Sequence, residues 1–333
     1  MSTHDRLFGY QHAFDHPITV IIVSAVALAL ALSLPTILLL SKLGKIDDKL
    51  RKELVARCVS WMIMAPVMLV PILLGAAWTI VVITFASLLC YREFARATGL
   101  FRHRLASFIV VLGILGIHFA ALDHWYGFFV ALPSLTIAIL AASQIIQDQP
   151  KGYIQRVALA VVGFLLFGVC MGHLSFYAND VNYRPMLIMI LAGAQLNDVF
   201  AFCSGKLFGR RKLAPNTSPN KTIEGFIGAF ILTTTLVAIM AHYVYMDTPL
   251  DQPVRLICLG MIVSVGGAMG DLMLSSIKRD LGIKDMGSFI PGHGGALDRC
   301  NSLLLVVPAT FHYIGFYVGI GLDGATRIIT GEG

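Results

Sequence analysis

Ten apolar runs, at roughly 17–41, 58–74, 77–93, 105–122, 126–146, 156–178, 185–205, 223–245, 254–277 and 302–320, constrain this chain more than any other feature. Each is about 20 residues long, the length at which a helix rising about 1.5 Å per residue crosses a hydrocarbon core of roughly 30 Å. Lipid offers no partner to backbone N–H and C=O groups, so runs of this length are predicted as helices that satisfy their own backbone. Across 333 residues, 57% are hydrophobic and 13% charged, too little polar surface to cover a soluble globule of this size. The fold class that follows is an all-α, polytopic membrane protein with about ten transmembrane helices. The first run is too long for a signal-peptide core and lacks a basic leader, so it reads as a retained span. Six scattered cysteines, with no CxxC pair, suggest neither a disulfide framework nor a zinc site.

The net charge of +6 is informative by position. Lys and Arg cluster at 42–57, 92–104, 151–156, 206–221 and 278–299, whereas the connectors Gly75 to Trp78, Asp123 to Tyr126, Asn179 to Arg184 and Asp247 to Val254 are poor in them. The positive-inside rule then puts the basic clusters in the cytoplasm and both termini outside. Segment 44–57 carries charge on several helical faces and reads either as a helix riding the cytoplasmic interface or as a solvated connector. No internal repeat is visible, which argues against a secondary transporter. The first six spans are chemically bland and polar residues gather after about residue 190. The expected division is therefore 1–180, a scaffold for a lipid pocket or dimer contact, and 181–333, a catalytic region with cytoplasmic loops 205–222 and 278–300.

Four features in that second region carry chemistry. Asp198, beside Asn197, lies inside a span, where a carboxylate is costly unless paired, hydrated or bound to a cation. The loop from Gly205 to Phe226 presents Lys206, Arg210, Lys212, Ser218, Lys221 and Thr222 around two prolines, as a semi-rigid anion-binding loop would, although any short cytoplasmic loop tends to be basic. The small residues of GGAMGD, 266–271, allow close helix approach, but packing has no use for Asp271, two turns before Lys278. Finally, Lys278, Arg279, Lys284, Asp285, His293, Asp298 and Arg299 crowd into one stretch with Gly294 and Gly295, whose backbone can approach phosphate oxygens. His293 suits an acid or base, a phosphate donor or a loop-fixing partner. Carboxylates among cations and glycines suggest Mg²⁺ bridging to substrate phosphates, and so a nucleotide or pyrophosphate at the cytoplasmic interface.

The stretch SSIKRDLGIKDMGSFIPGHGGALDR, 275–299, resembles the signature of the CDP-diacylglycerol synthases, also called phosphatidate cytidylyltransferases. Ser275, Lys278, Arg279, Lys284, Asp285, Pro291, His293, Gly294, Gly295, Asp298 and Arg299 all fit that pattern, and the segment from Asn197 to Gly225 is similar to the family's upstream loop. The likeness covers about 190–305. It implies attack of a phosphatidate oxygen on the α-phosphorus of CTP, with release of pyrophosphate and a requirement for Mg²⁺. Asp271 and Asp298 would hold the metal, joined by Asn301, and Lys278 and Arg279 would act with them in catalysis. Asp198, Lys206, Arg210, Lys212, Ser218, Lys221, Thr222, Lys284, His293, Gly294, Gly295 and Arg299 would bind substrates. The resemblance also implies a homodimer, and the compact chain a bacterial inner membrane; nucleic acid is not an expected partner.

The chain departs from that signature at Cys300, at Asn301, where the family carries a second aspartate, and at Ala296, where a larger apolar residue is usual. Asn keeps an oxygen but loses the charge, which weakens a directly bound cation. Alternatives are another lipid acceptor, a CTP-dependent kinase, or a non-catalytic scaffold or transporter. His118, His173 and His312 read as packing histidines, and Trp61, Trp78 and Trp125 as interface anchors. Glu93 reads as a local ion pair with Arg92 or Arg96.

Overall fold

Every apolar run becomes a helix, and the punctuation between runs is local chemistry. The computed structural model describes residues 2–287, 294–319 and 327–331. A short N-terminal helix, α1 (Thr3–Phe8), precedes α2 (Pro17–Lys42), which opens with proline at its first position, and α3 (Asp48–Leu74), capped by the Asp47 carboxylate. Gly75 ends α3 at φ 151°, and a Cβ there would strike the Leu7 carbonyl, so α1 can lie across this turn only because the residue is glycine. Then follow α4 (Ala76–Ala97), α5 (Arg104–Leu122), α6 (Tyr126–Ser143), and α7 (Tyr153–Phe164), which passes through a π-helical segment, Leu165–Cys170, into α8 (Met171–Ala178).

The remaining helices are α9 (Tyr183–Phe208), α10 (Ile223–Val244), α11 (Pro253–Asp280), the short α12 (Leu297–Cys300) and α13 (Leu303–Val318). Among the described residues, ten helical stretches are long and apolar enough to span a bilayer, and they match the ten expected runs. The chain is an integral, multi-pass, all-α membrane protein. Segment 44–57 is no separate interfacial helix: from Asp48 it runs unbroken into the second span. The loop after α9 folds as a small antiparallel ribbon, β1 (Lys212–Ala214) with β2 (Ser218–Thr222), in which Lys212 faces Thr222 and Ala214 faces Ser218.

Helices α9, α10 and α11 pack most closely, and one amide ties them. Asn197 Oδ1 accepts from Thr233 Oγ1 of α10 at 2.9 Å and Ser264 Oγ of α11 at 2.8 Å, while its Nδ2 donates to the Ser264 carbonyl at 3.2 Å. Both lone pairs of Oδ1 and one N–H of a side chain only 1% exposed are thereby used inside an apolar setting. Close approach depends on small residues: a Cβ at Gly225 would lie 2.7 Å from the Ala201 carbonyl, and one at Gly270 2.5 Å from the Asn301 carbonyl. Outward faces of α2 and α3 carry exposed Ile21, Leu28, Leu32, Ile63 and Val67, as a lipid-facing surface requires.

Buried histidines behave as packing residues. His118 Nδ1 pairs with Ser175 Oγ at 2.7 Å, and His173 bonds the Val169 carbonyl, inside the π-helical segment, at 2.7 Å. On the face opposite the basic loops, Asp123 holds the C-terminal tail. Its carboxylate accepts from the N–H groups of Ile329, at 2.5 Å, and Thr330, at 3.0 Å, and from Thr330 Oγ1 at 2.6 Å. Burial alone would push this carboxyl up, but those bonds and nearby Arg327 outweigh it and hold Asp123 below the ordinary carboxylate range.

Candidate active site

Asn197 and Asp198 are neighbours in sequence with different roles. A rotation of about 100° per residue turns Asn197 into the α9–α11 contact and Asp198 out of it, exposed. Asp198 Oδ2 receives a long bond, 3.4 Å, from Ser302 Oγ, and its charge is felt by Asp271, Lys221 and Arg299. Four helical segments and the ribbon therefore meet around this carboxylate.

Asp271, from α11, is held on both sides. Lys221 Nζ, at the end of β2, forms an ion pair with Oδ2, and Asn301 Nδ2 donates to Oδ1 at 2.6 Å. Asn301 in turn accepts the Ser302 N–H at 2.8 Å, so the turn between α12 and α13 is pinned to α11 through one amide. Thr222 caps α10, its Oγ1 accepting from Gly225 N at 3.1 Å, and Glu224 accepts the N–H groups of Arg210 and Arg211 at 2.9 and 3.1 Å. The ribbon is thus closed at its base, which fixes where Lys221 enters.

Asp298 organises the signature stretch. Lys278 Nζ pairs with Oδ1 at 2.8 Å, while Oδ2 accepts the N–H groups of Met286 and Gly295, both at 3.0 Å. Gly294 needs its φ of 80°, and a Cβ there would come 2.9 Å from Asp298 Oδ2. Arg279 Nε donates to the Thr217 carbonyl at 3.2 Å, linking the end of α11 to the ribbon.

Of the expected site residues, Asp198, Lys221, Asp271 and Asn301 come together as one cluster, and Lys278, Gly294, Gly295 and Asp298 as a second. Arg299, in α12, and Ser302, at the start of α13, lie between them. Lys206 lies over the Phe202 ring, 5.5 Å from its centroid, and Arg210, Lys212 and Lys284 are exposed, with Ser218 half-buried. None of these five is ion-paired with the carboxylates among the described residues. Pro291 and His293 lie outside the described residues.

Two features escaped the sequence. Glu93 is not a partner of Arg92 or Arg96: its Oε1 accepts Ala296 N at 3.0 Å and its Oε2 accepts Leu297 N at 2.9 Å, so it caps α12 from across the bundle. A carboxylate inside a predicted span was the available signal, masked by adjacent arginines. The second feature is a cavity of about 600 Å³. It follows α3 from Ala56 to Ile72, about 24 Å at about 1.5 Å per residue, with Phe85, Ala86 and Leu89 of α4 opposite. Ala296, Arg299 and Cys300 close its α12 end. Trp61, expected as an interface anchor, is one of its lining residues.

Metal fit can be judged from the donors. Among the described residues no three acidic, histidine or cysteine side chains converge on one point. Asp198 and Asp271 keep accessible lone pairs, and a cation already stands at Asp271 in the form of the Lys221 ammonium. Two hard carboxylates of this kind fit Mg²⁺, which takes its other oxygens from phosphate and water. For Asp298 to join them, Lys278 has to leave Oδ1, because Oδ2 is spent on two N–H groups.

A family model described as "Cytidylyltransferase family" matches residues 55–317. The Escherichia coli (strain K12) protein YnbB is 31% identical over 194 residues, 57% of this chain and 64% of that protein. A phosphatidate cytidylyltransferase of Staphylococcus haemolyticus is 38% identical over 140 residues, 42% of this chain and 53% of the relative. These two alignments cover less than two thirds of either relative. A phosphatidate cytidylyltransferase of Staphylococcus aureus is 30% identical over 249 residues, 74% of this chain and 94% of the relative.

Proposed function

The chain belongs to the cytidylyltransferase family of nucleotidyltransferases, and from that membership we propose that it makes CDP-diacylglycerol from CTP and phosphatidate. One observation carries the lipid half of the reading: an apolar cavity long enough for an acyl chain ends on Arg299, beside the Asp198–Asp271 cluster. An apolar slot with a guanidinium at its polar end suits a lipid whose head is a phosphate.

A phosphatidate oxygen attacks the α-phosphorus of CTP, a new P–O bond forms, and the bond from that phosphorus to the bridging oxygen breaks. The electron pair leaves with pyrophosphate. The attacking phosphate is already ionised, so no strong base is required. Arg299 orients the lipid phosphate, while Lys278, Arg279 and Lys221 offset the charge that builds on the leaving group. Lys206, Arg210, Lys212, Ser218 and Lys284 gather the nucleotide from the exposed side. Asp271 with Asp198 would hold Mg²⁺, with Asp298 and Asn301 as the further candidates, and the ion would supply charge neutralisation along the triphosphate. The N-terminal half walls the lipid slot and the C-terminal half carries the chemistry. The distribution of Lys and Arg supports a site on the cytoplasmic side, and the bacterial relatives support an inner membrane.

Purified protein given labelled CTP, phosphatidate and Mg²⁺ should transfer label into organic-extractable CDP-diacylglycerol, and Asp271→Ala should not. Label appearing in a different lipid when other lipid phosphates are offered, and none with phosphatidate, would replace the acceptor; no label with any of them would overturn the reading.

A further inference from the structure

Glu93 is 9% exposed and lies near the cytoplasmic end of α4. Besides accepting from Ala296 and Leu297, it is crowded by two glycines of the signature stretch: a Cβ at Gly287 would lie 2.6 Å from Oε1, and one at Gly295 would strike Oε2. Four backbone points therefore converge on one carboxylate that stands some two hundred residues earlier in the chain. A charge in a span is costly, and this one is spent entirely on backbone, as a structural clamp would be.

The clamp joins two sides of the cavity. Leu89, one turn before Glu93, lines it from α4, and Ala296, Arg299 and Cys300 line it from the turn that Glu93 holds. Asp298, next after Leu297, ties the same segment to the end of α11 and to Met286, pairing with Lys278 and accepting the Met286 and Gly295 N–H groups. We propose that Glu93 is a positioning residue for the lipid acceptor: it sets where Arg299 stands against the α4 wall, and so where a lipid phosphate is held. This rests on the lipid-phosphate reading above, and it makes acceptor binding the step that Glu93 governs.

The test uses full-length protein carrying W78F and W125F, which leaves Trp61, a cavity residue, as the sole tryptophan of three. Phosphatidate with brominated acyl chains should quench Trp61. E93Q puts an amide donor against a backbone donor and should raise the half-quenching concentration about tenfold. E93D, which keeps both acceptors, should fall between, and G287A, which crowds the carboxylate without changing it, should follow E93Q. In turnover, the phosphatidate KM should rise in parallel while the CTP KM stays constant. Unchanged quenching in E93Q and G287A, or equal rises in both KM values, would overturn the assignment. Should E93Q not fold, E93D and G287A decide it. If wild-type protein binds the brominated lipid without CTP turnover, the functional reading fails while the quenching series still judges Glu93.

Discussion

Asn301 and Asp271 share a hydrogen bond of 2.6 Å, amide to carboxylate, where the related signature has a second carboxylate. With Asp at 301 the donor is lost and two like charges meet at contact distance. Asn301→Asp should therefore destabilise the metal-free protein by about 1–3 kcal/mol, and Mg²⁺ should restore the loss. Thermal melts with and without Mg²⁺ check this; a melt that neither falls nor responds to the ion would place residue 301 away from any cation.

Asp298→Asn removes the partner of Lys278 and replaces one acceptor oxygen by a donor beside two N–H groups or the ammonium. CTP-dependent product should fall by about a hundredfold or more, with the protein still inserted in membranes. Turnover near that of wild type would remove Asp298 from the catalytic machinery.

Arg299→Ala takes the guanidinium from the end of the cavity. We expect the phosphatidate KM to rise at least about tenfold, with a smaller change for CTP, since one charge-assisted contact is worth about 1.5–3 kcal/mol. Initial rates over a grid of both substrates give the two constants, and a rise confined to CTP would move Arg299 to the nucleotide.

Ala86 lines the cavity from α4, so Ala86→Phe fills space that an acyl chain needs. Long-chain phosphatidate should become a poorer substrate while a short-chain, water-soluble analogue is spared. Equal loss for both would mean that the cavity is not the acyl site.

Asp123 links the tail to pH. Its carboxyl is held below the ordinary range, so its contribution is fully present above the unfolded value of 3.8 and is lost as pH falls through the lower folded value. Asp123→Asn should reproduce the acid state at neutral pH. Hydrogen exchange at Ile329 and Thr330 should speed up in the variant and, in wild type, only in that acid window; protection unchanged in the variant would show that the tail is held by other contacts.

Spans were legible because hydropathy and helix rise are local quantities, and the ten runs coincide with the ten candidate spans. Asp198, Asp271 and Asn301 were legible as chemical oddities in apolar surroundings. What sequence could not supply was direction. Nothing local says that Asn197 turns inward to knot three helices while Asp198 does not. Glu93 was misread because its partners are backbone N–H groups of Ala296 and Leu297, which carry no side-chain signature. The ribbon was hidden by its brevity, β1 spanning three residues, and the cavity by its dependence on packing between distant helices.

The Asn197 knot has a mechanical consequence. Three helices that share one amide shift together, because separating any one of them strands a polar group in hydrocarbon. The cavity's α3 wall is fastened differently, by hydroxyls that donate to its backbone carbonyls: Tyr183 Oη of α9 to Ile72 at 3.0 Å and Thr79 Oγ1 of α4 to Pro71 at 3.0 Å. Helix α3 carries Pro66 and Pro71 within its length, each of which lacks the N–H for one rung of the hydrogen-bond ladder, and its neighbour α2 lies largely exposed. The α9–α11 block is therefore a common bed, and the α3 wall of the cavity is tied to it through the Ile72 carbonyl.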